Sequence, residues 1–320
     1  MPPPASASAA GPRVDLTRAR GGRNLFEAGI KVVLAVCAAI SVATTVAIVV
    51  SLIEETVKFF GDVGVFDYLL GTKWTPQLAG DQQSFGVVPL LIGTLYLTAI
   101  AMLVAIPLGL LSAIYLAEFA PPRVRKLVKP VLEILAGVPT IVFGFFALTF
   151  ITPDILRGVL GLEVEQFNQL AAGLIVGILV LPTVASVAED AMTAVPGSLR
   201  EGAFGLGANR MKVAVRVVFP AALSGVVAAL VLGASRAIGE TLVILLAGGS
   251  GQLLPHTVWN PTQSGGSMAA FIASTATGDA PTGSIEYETI FVVGFTLFVF
   301  TLALNLLSIR LVNKYRQVYE

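Results

Sequence analysis

The chain is 320 residues long, 55% hydrophobic, 12% charged and of zero formal net charge. A soluble domain carries about 25% charged residues, so this composition is that of an integral membrane protein, and the zero net charge says nothing about partners. One cysteine (Cys37) and one histidine (His256) exclude an internal disulfide, a cysteine-based metal site and any multi-histidine site.

In chain order, residues 1–25 open with MPPPASASAAGPRVDLTRARGG, a stretch rich in Pro, Ala, Ser and Gly. It cannot bury a core and is expected to be a disordered cytoplasmic leader. Apolar runs long enough to cross a bilayer follow at 30–53, 87–117, 131–151, 169–188, 219–247 and 289–311. The first is expected as a helix over 26–53; its length and polar leader distinguish it from a cleavable signal peptide. An outer loop spans 54–86, the core spans 87–312, and a cytoplasmic tail takes 313–320. Backbone in lipid must satisfy its own hydrogen bonds, and the short alternating segments of a barrel are missing. The expected fold class is therefore all-α with six transmembrane helices. FDYLLGTKWTP (66–76) offers aromatics suited to a membrane interface, and SMAAFIASTATG (267–278) is apolar enough for a short surface or re-entrant helix.

Charge placement sets the orientation. The leader with Lys31 just beyond it, the loops at 118–130 and 189–218, and the tail with Arg310 just before it hold sixteen of the twenty Lys and Arg residues. The three alternate loops hold only Lys58, Lys73 and Arg157, with most of the acids. The positive-inside rule then puts both termini in the cytoplasm and three loops outside the membrane.

No Cys/His or Ser/His/Asp set is present. GAFGLGANR (202–210) and GGSG (248–251) lack the Lys-Ser/Thr ending of a nucleotide-binding loop, so the chain is not expected to hydrolyse ATP. GLIVG (173–177) is a small-xxx-small pattern, expected to let two helices pack closely.

The most informative stretch is REGAFGLGANRMKVAVRVVFPAAL, 200–223. It predicts a helix, a glycine-bearing turn at 205–207, and a second helix heading into the membrane, with Pro220 near a helix start where a missing N–H costs little. Glu201, Gly202 and Ala203 are followed by Gly207 after three residues and, nine residues later, by Val217, Phe219 and Pro220. This spacing resembles the EAA loop of ABC importer permeases. Gly202 stands where the family has the first alanine, Val217 for isoleucine and Phe219 for leucine. The resemblance implies a helical knuckle that docks on an ATPase subunit, with Glu201 and Gly207 at the matching positions. FGVVPLLIGTLYLT, EILAGVPTIVFG, LPTVASVAEDAMTAVP and SRAIGET resemble the permeases of the high-affinity phosphate importer, its C-type subunit more than its A-type partner. This likeness covers about residues 60–312.

Lys31 and Arg310 sit at the ends of the first and last runs; Arg236 is the one Lys or Arg in the interior of a predicted span, and Glu240 follows four residues later. On a continuous helix the two would share a face. A mid-membrane arginine costs roughly 2.5–3.5 kcal/mol on insertion scales, and buried ion pairs often fail to recover their desolvation cost. A structural clamp is thus a poor reason for the pair. A pathway site is a better one, because a guanidinium offers forked donors to an oxyanion. Pro139 and Pro182 are expected to kink or unwind spans three and four, and the resemblance implies that Gly137, Pro139, Thr140 and Thr241 help line the pathway. Glu133, Glu189 and Asp190 are expected at cytoplasmic span ends.

The expected whole is one half of a heterodimeric pore for inorganic phosphate, embedded in membrane lipids. It implies a second homologous permease, two ATPase copies, an extracytoplasmic phosphate-binding protein, and no nucleic acid. No cofactor is expected on this chain, ATP and Mg binding the partner ATPase. The rival readings are a sulfate or molybdate permease of the same superfamily and an ion-coupled carrier or channel.

Overall fold

The computed structural model describes residues 21–78, 80–249 and 259–315. Most of the predicted leader, the end of the tail and His256 lie outside the described residues. The described residues are helical, apart from loops and one antiparallel bridge, Trp74 to Phe85. Among the described residues, five helices are long and apolar enough to cross a membrane, and a sixth span arises if one bent pair counts as a single crossing.

The chain divides into two units, Met1–Ser51 and Leu52–Glu320. Helix α1 (Gly21–Asp62) supplies the described part of the first and the opening residues of the second. It extends past the predicted end at 53. In the first unit its Val, Ile and Leu side chains are exposed on every face, as lipid-facing residues should be.

The second unit is organised around α6 (Gln169–Thr193), whose apolar window is 61% buried against 39% for α3 (Val88–Phe119). Asn168 caps α6 by accepting from the Ala171 amide at 2.8 Å. The GLIVG pattern lets α3 approach closely. A side chain at Gly173 would meet Ile100 at 2.6 Å, and one at Gly177 would meet the Ala101 carbonyl at 2.7 Å. Small residues at a helix interface work in this way in membranes.

The predicted third run, 131–151, is not one span. Its first half belongs to a separate amphipathic helix, α4 (Pro122–Gly137), and its second to α5 (Thr140–Val159). Val138 is extended at ψ 131° because the following Pro139 bars it from the helical region. The result is a complete break rather than a kink.

The predicted fifth run, 219–247, is divided as well. Helix α8 (Arg210–Ala221) meets α9 (Leu223–Ile238) at 73°. The bend follows a widened π turn at Ala214–Val218, and Pro220 sits two residues before it, so the missing Pro N–H falls where the ladder is already interrupted. Beyond Gly239 a second short segment, Ile244–Gly248, completes the run.

On the side opposite the basic loops, α2 (Val65–Leu70), the 71–86 loop, α10 (Met268–Ala276) and α11 (Ile285–Tyr315) enclose an aromatic cluster of Phe59, Tyr68, Trp74 and Phe271. Tyr68 and Trp74 therefore fill a core instead of facing the membrane interface, and the Tyr68 hydroxyl is 2.7 Å from Thr296 Oγ1. Short helix α10 arises where the apolar 267–278 stretch predicts one, capped by Ser267.

Candidate functional site: a basic knuckle and a broken span

The 200–220 stretch forms a helix, turn and helix. Helix α7 (Gly197–Gly205) ends in a paired closure: Gly207 N–H donates to Phe204 O at 2.9 Å and Ala208 N–H to Ala203 O at 3.1 Å. That closure needs a left-handed residue after the cap, and Gly207 supplies it at φ +80°. Asn209 then starts α8 by accepting from the Lys212 amide at 2.9 Å. Ala203 and Ala208 pack beneath, beside Met192, Val213 and Val218.

Outward, Glu201, Gly202 and Gly207 are exposed, as are four apolar side chains: Phe204 (46%), Leu206 (91%), Met211 (59%) and Val215. Together they leave apolar surface open on a basic loop. They were missed in the sequence, where their signal was hydrophobics between charges. Arg200 anchors the knuckle to two spans. It pairs with Glu118 at the end of α3 at 2.9 Å and donates to the Val195 and Met192 carbonyls at 2.6 and 2.8 Å.

Arg236 and Glu240 do not form the expected pair on one helix face. α9 ends at Ile238 and Gly239 caps it, so Glu240 leaves the helix. Among the described residues no ion pair joins the two. Arg236 Nη1 donates instead to the Thr183 hydroxyl of α6 at 2.8 Å. The Glu240 carboxylate, 9% exposed, accepts from the Val243 amide at 3.3 Å and caps the next segment. Thr241, half-buried, turns back to the Gly239 carbonyl at 3.2 Å.

The second break lies at Gly137, Pro139 and Thr140. Gly137 and Pro139 are exposed and Thr140 is half-buried at the start of α5. Among the described residues no hydrogen bond links them to Arg236 or Glu240. The two breaks are joined through packing: Gly144 of α5 lies against Leu242 and Leu246, and Phe143, Ala237, Val243 and Ile244 share one core.

A charged clamp holds α4 to α6. Glu189 is fully buried and binds both Arg125 and Lys129, the latter at 2.9 Å; Lys129 also reaches Asp190 at 2.8 Å. The hydrogen bonds that Lys129 donates to Asp190 and Glu189 raise its pKa above the ordinary 10.5. Glu189 is thus a buried ion-pair centre, which its position at a span end did not reveal. Beside the clamp is a cavity of about 230 Å³ lined by Lys129, Glu133, Pro182, Thr183 and Ser186 among others.

Comparison with known proteins bears on these features. Residues 105–317 match the family described as binding-protein-dependent transport system inner membrane component. A probable ABC transporter permease protein, YqgH, of Bacillus subtilis is 32% identical, over 95% of this chain and 96% of its own. The phosphate transport system permease protein PstC of Haemophilus influenzae is 31% identical, over 85% and 88%. Among solved structures, a bacterial ABC transporter that imports the acidic polysaccharide alginate matches with a TM-score of 0.61 at 16% identity, covering 92% of this chain and 100% of that one. The inward-facing methionine transporter MetNI matches at 0.53 and 18% identity, over 72% and 95%. These two share its fold. With the family's model covering the core from α3 to α11 and PstC proteins among its relatives, the chain belongs to the binding-protein-dependent transport system inner membrane components, as an ABC importer permease of the PstC type.

Proposed function

We propose that the chain is the translocating subunit for inorganic phosphate, working by alternating access in an ATP-driven importer. One observation carries the reading. A guanidinium with five N–H donors sits half-buried in span five and spends one hydrogen bond on a neutral hydroxyl, among the described residues. The remaining donors suit an oxyanion, which must replace part of its hydration to cross an apolar path. The PstC relatives, named for phosphate transport, support that choice of anion.

In this reading Arg236 supplies charge-assisted donors, while Glu240 keeps the site from trapping the anion permanently. Thr241, Gly137, Pro139 and Thr140, at the two breaks, line the route. The knuckle, with Glu201, Gly202, Ala203, Gly207 and Pro220, docks an ATPase subunit through its exposed apolar side chains. ATP and Mg bind that partner. A second homologous permease completes the pore, two ATPase copies drive it, and an extracytoplasmic binding protein delivers phosphate. Both termini are cytoplasmic.

The test is reconstitution of the complex in lipid vesicles with labelled phosphate inside the assay and sulfate or molybdate as competitors. Phosphate uptake that requires ATP and resists excess sulfate and molybdate supports the reading. Preferential sulfate or molybdate transport overturns the substrate, and uptake that survives removal of the ATPase overturns the class.

A further inference from the structure

We infer that Thr183 is a positioning residue for transport: its hydroxyl holds the Arg236 guanidinium so that its other donors face the anion. This rests on the reading of Arg236 as the anion's contact.

The geometry is specific. Helical threonines in this chain habitually donate to the carbonyl four residues back, as Thr94, Thr98, Thr149 and Thr301 do at 2.7–2.9 Å. Thr183, in the middle of α6, makes no such bond among the described residues. Its oxygen accepts from Arg236 Nη1 at 2.8 Å instead. Gly233, one turn before Arg236, fixes the approach of the two helices. A side chain there would meet Val184 at 2.6 Å and Val180 at 3.1 Å. Close contact of Gly233 with the Val180 and Val184 side chains, on either side of Thr183, thus sets the distance at which the guanidinium must be held. Arg is a long, flexible side chain, and with Glu240 turned to the Val243 amide no carboxylate among the described residues anchors it. The Thr183 hydroxyl does so without neutralising its charge, which a carboxylate would. Thr183 also lines the cavity that extends past Ser186 to Lys129 at the basic end of α6. The residue that orients Arg236 therefore borders the open space on the cytoplasmic side.

The experiment uses the complete complex in lipid vesicles, with the second permease, ATPase and binding protein. Phosphate moved per ATP hydrolysed is measured per assembled complex. Thr183→Val keeps the shape and removes the hydroxyl; Thr183→Ser keeps the hydroxyl. A hydrogen bond to a charged group is worth roughly tenfold or more in an equilibrium. Phosphate per ATP is expected to fall by about that factor in Thr183→Val while hydrolysis continues, and Thr183→Ser is expected to restore it. Thr183→Ala repeats the measurement without the bulk of Val. Because the ratio is taken per assembled complex, a lower yield leaves it readable. An unchanged ratio in Val and Ala variants, or a proportional fall in phosphate and hydrolysis together, overturns the inference. Arg236→Gln in the same assay tests the underlying reading separately. Full uptake there removes Arg236 from the pathway, whereas loss there with a normal ratio in Thr183→Val and Thr183→Ala rejects only the role of Thr183.

Discussion

Arg236 and Glu240 lie on opposite sides of a helix end, and each complements the terminus it occupies. Arg236 is in the last turn of α9, where carbonyls without partners leave partial negative charge. Glu240 accepts from an amide that opens the next segment, where partial positive charge collects. Each charge has a local electrostatic partner in the backbone, so neither depends on the other to be tolerated in the span. That leaves the guanidinium free of a carboxylate without exposing an uncompensated charge.

The first prediction tests the two charges directly. Arg236→Gln is expected to abolish phosphate uptake while the chain still inserts and assembles, since removing the charge also removes an insertion cost of about 2.5–3.5 kcal/mol. Glu240→Gln retains a carbonyl oxygen for the Val243 amide, so the segment start is kept, but uptake is expected to fall because the route loses the negative charge that keeps the anion from being trapped. Uptake assays beside quantification of assembled complex read both outcomes. Normal uptake by Arg236→Gln would make the residue structural, and failure to assemble would make it a helix clamp.

Gly207 gives a second prediction, this time from backbone strain. Its φ of +80° costs an ordinary side chain about 1–2 kcal/mol, and nothing lies within 4 Å of where a Cβ would stand. Strain and the altered docking face are therefore the only penalties. Gly207→Val is expected to leave the chain in the membrane but weaken ATPase co-purification or uncouple hydrolysis from uptake. Gly207→Asn, which tolerates this conformation better, should be milder. Normal uptake with full assembly in Gly207→Val would count against docking through the knuckle.

The knuckle was legible in the sequence because its signals are local: a glycine-bearing turn, a proline near a helix start, and fixed spacing. The third span was misplaced because averaging hydropathy over 131–151 passes smoothly across Val138 and Pro139. The charge of α4 lies at its start, so its end blends into α5. Thr183 was invisible for a different reason. A threonine in an apolar run carries no charge signal, and its partner is 53 residues away. Glu189 likewise gains its meaning from Arg125 and Lys129, more than sixty positions earlier in the first case. What the sequence withheld was tertiary pairing; what it disclosed was apolar runs, motif spacing and charge bias.

The clamp on α6 gives a third prediction. Glu189→Gln keeps the shape of a buried side chain but removes the charge that two cations share. Hydrogen bonds to a charged group contribute roughly 1.5–3 kcal/mol each when well buried. Lys129 and Arg125 are about a third exposed, at 32% and 35%, so solvent screening lowers their share. A loss of about 1–3 kcal/mol in thermal stability of the detergent-solubilised complex is expected. The pH dependence has a definite sign. Because the Lys129 pKa is raised in the folded state, its contribution is complete below the ordinary lysine value and is lost only as pH rises through the higher folded one. Lys129→Met should thus lower stability by the same amount at pH 6 and pH 9. A difference that shrinks across that interval would contradict the shift.

The final prediction concerns orientation, and α6 links it to the fold. Its 25 residues span about 38 Å at 1.5 Å per residue, enough for a hydrocarbon core of ~30 Å. One end carries Glu189 with Arg125 and Lys129, in the basic region that the positive-inside rule assigns to the cytoplasm. The other end is strapped by the 261–263 backbone, whose carbonyls accept from the Glu165, Gln169 and Leu170 amides at 2.8, 3.1 and 2.8 Å. The strap and the clamp are therefore at opposite ends of one helix and belong on opposite sides of the membrane. In a Cys37→Ala background, a cysteine at Gln263 should react with a membrane-impermeant maleimide applied to intact cells. Gln263 is half-buried, so its labelling should be slower than that of an open loop but complete with time. A cysteine at Gln317, in the tail, should react only after permeabilisation. The reverse pattern would put the knuckle outside, away from ATP, and would remove the docking role proposed for Glu201 and Gly207 together with the orientation.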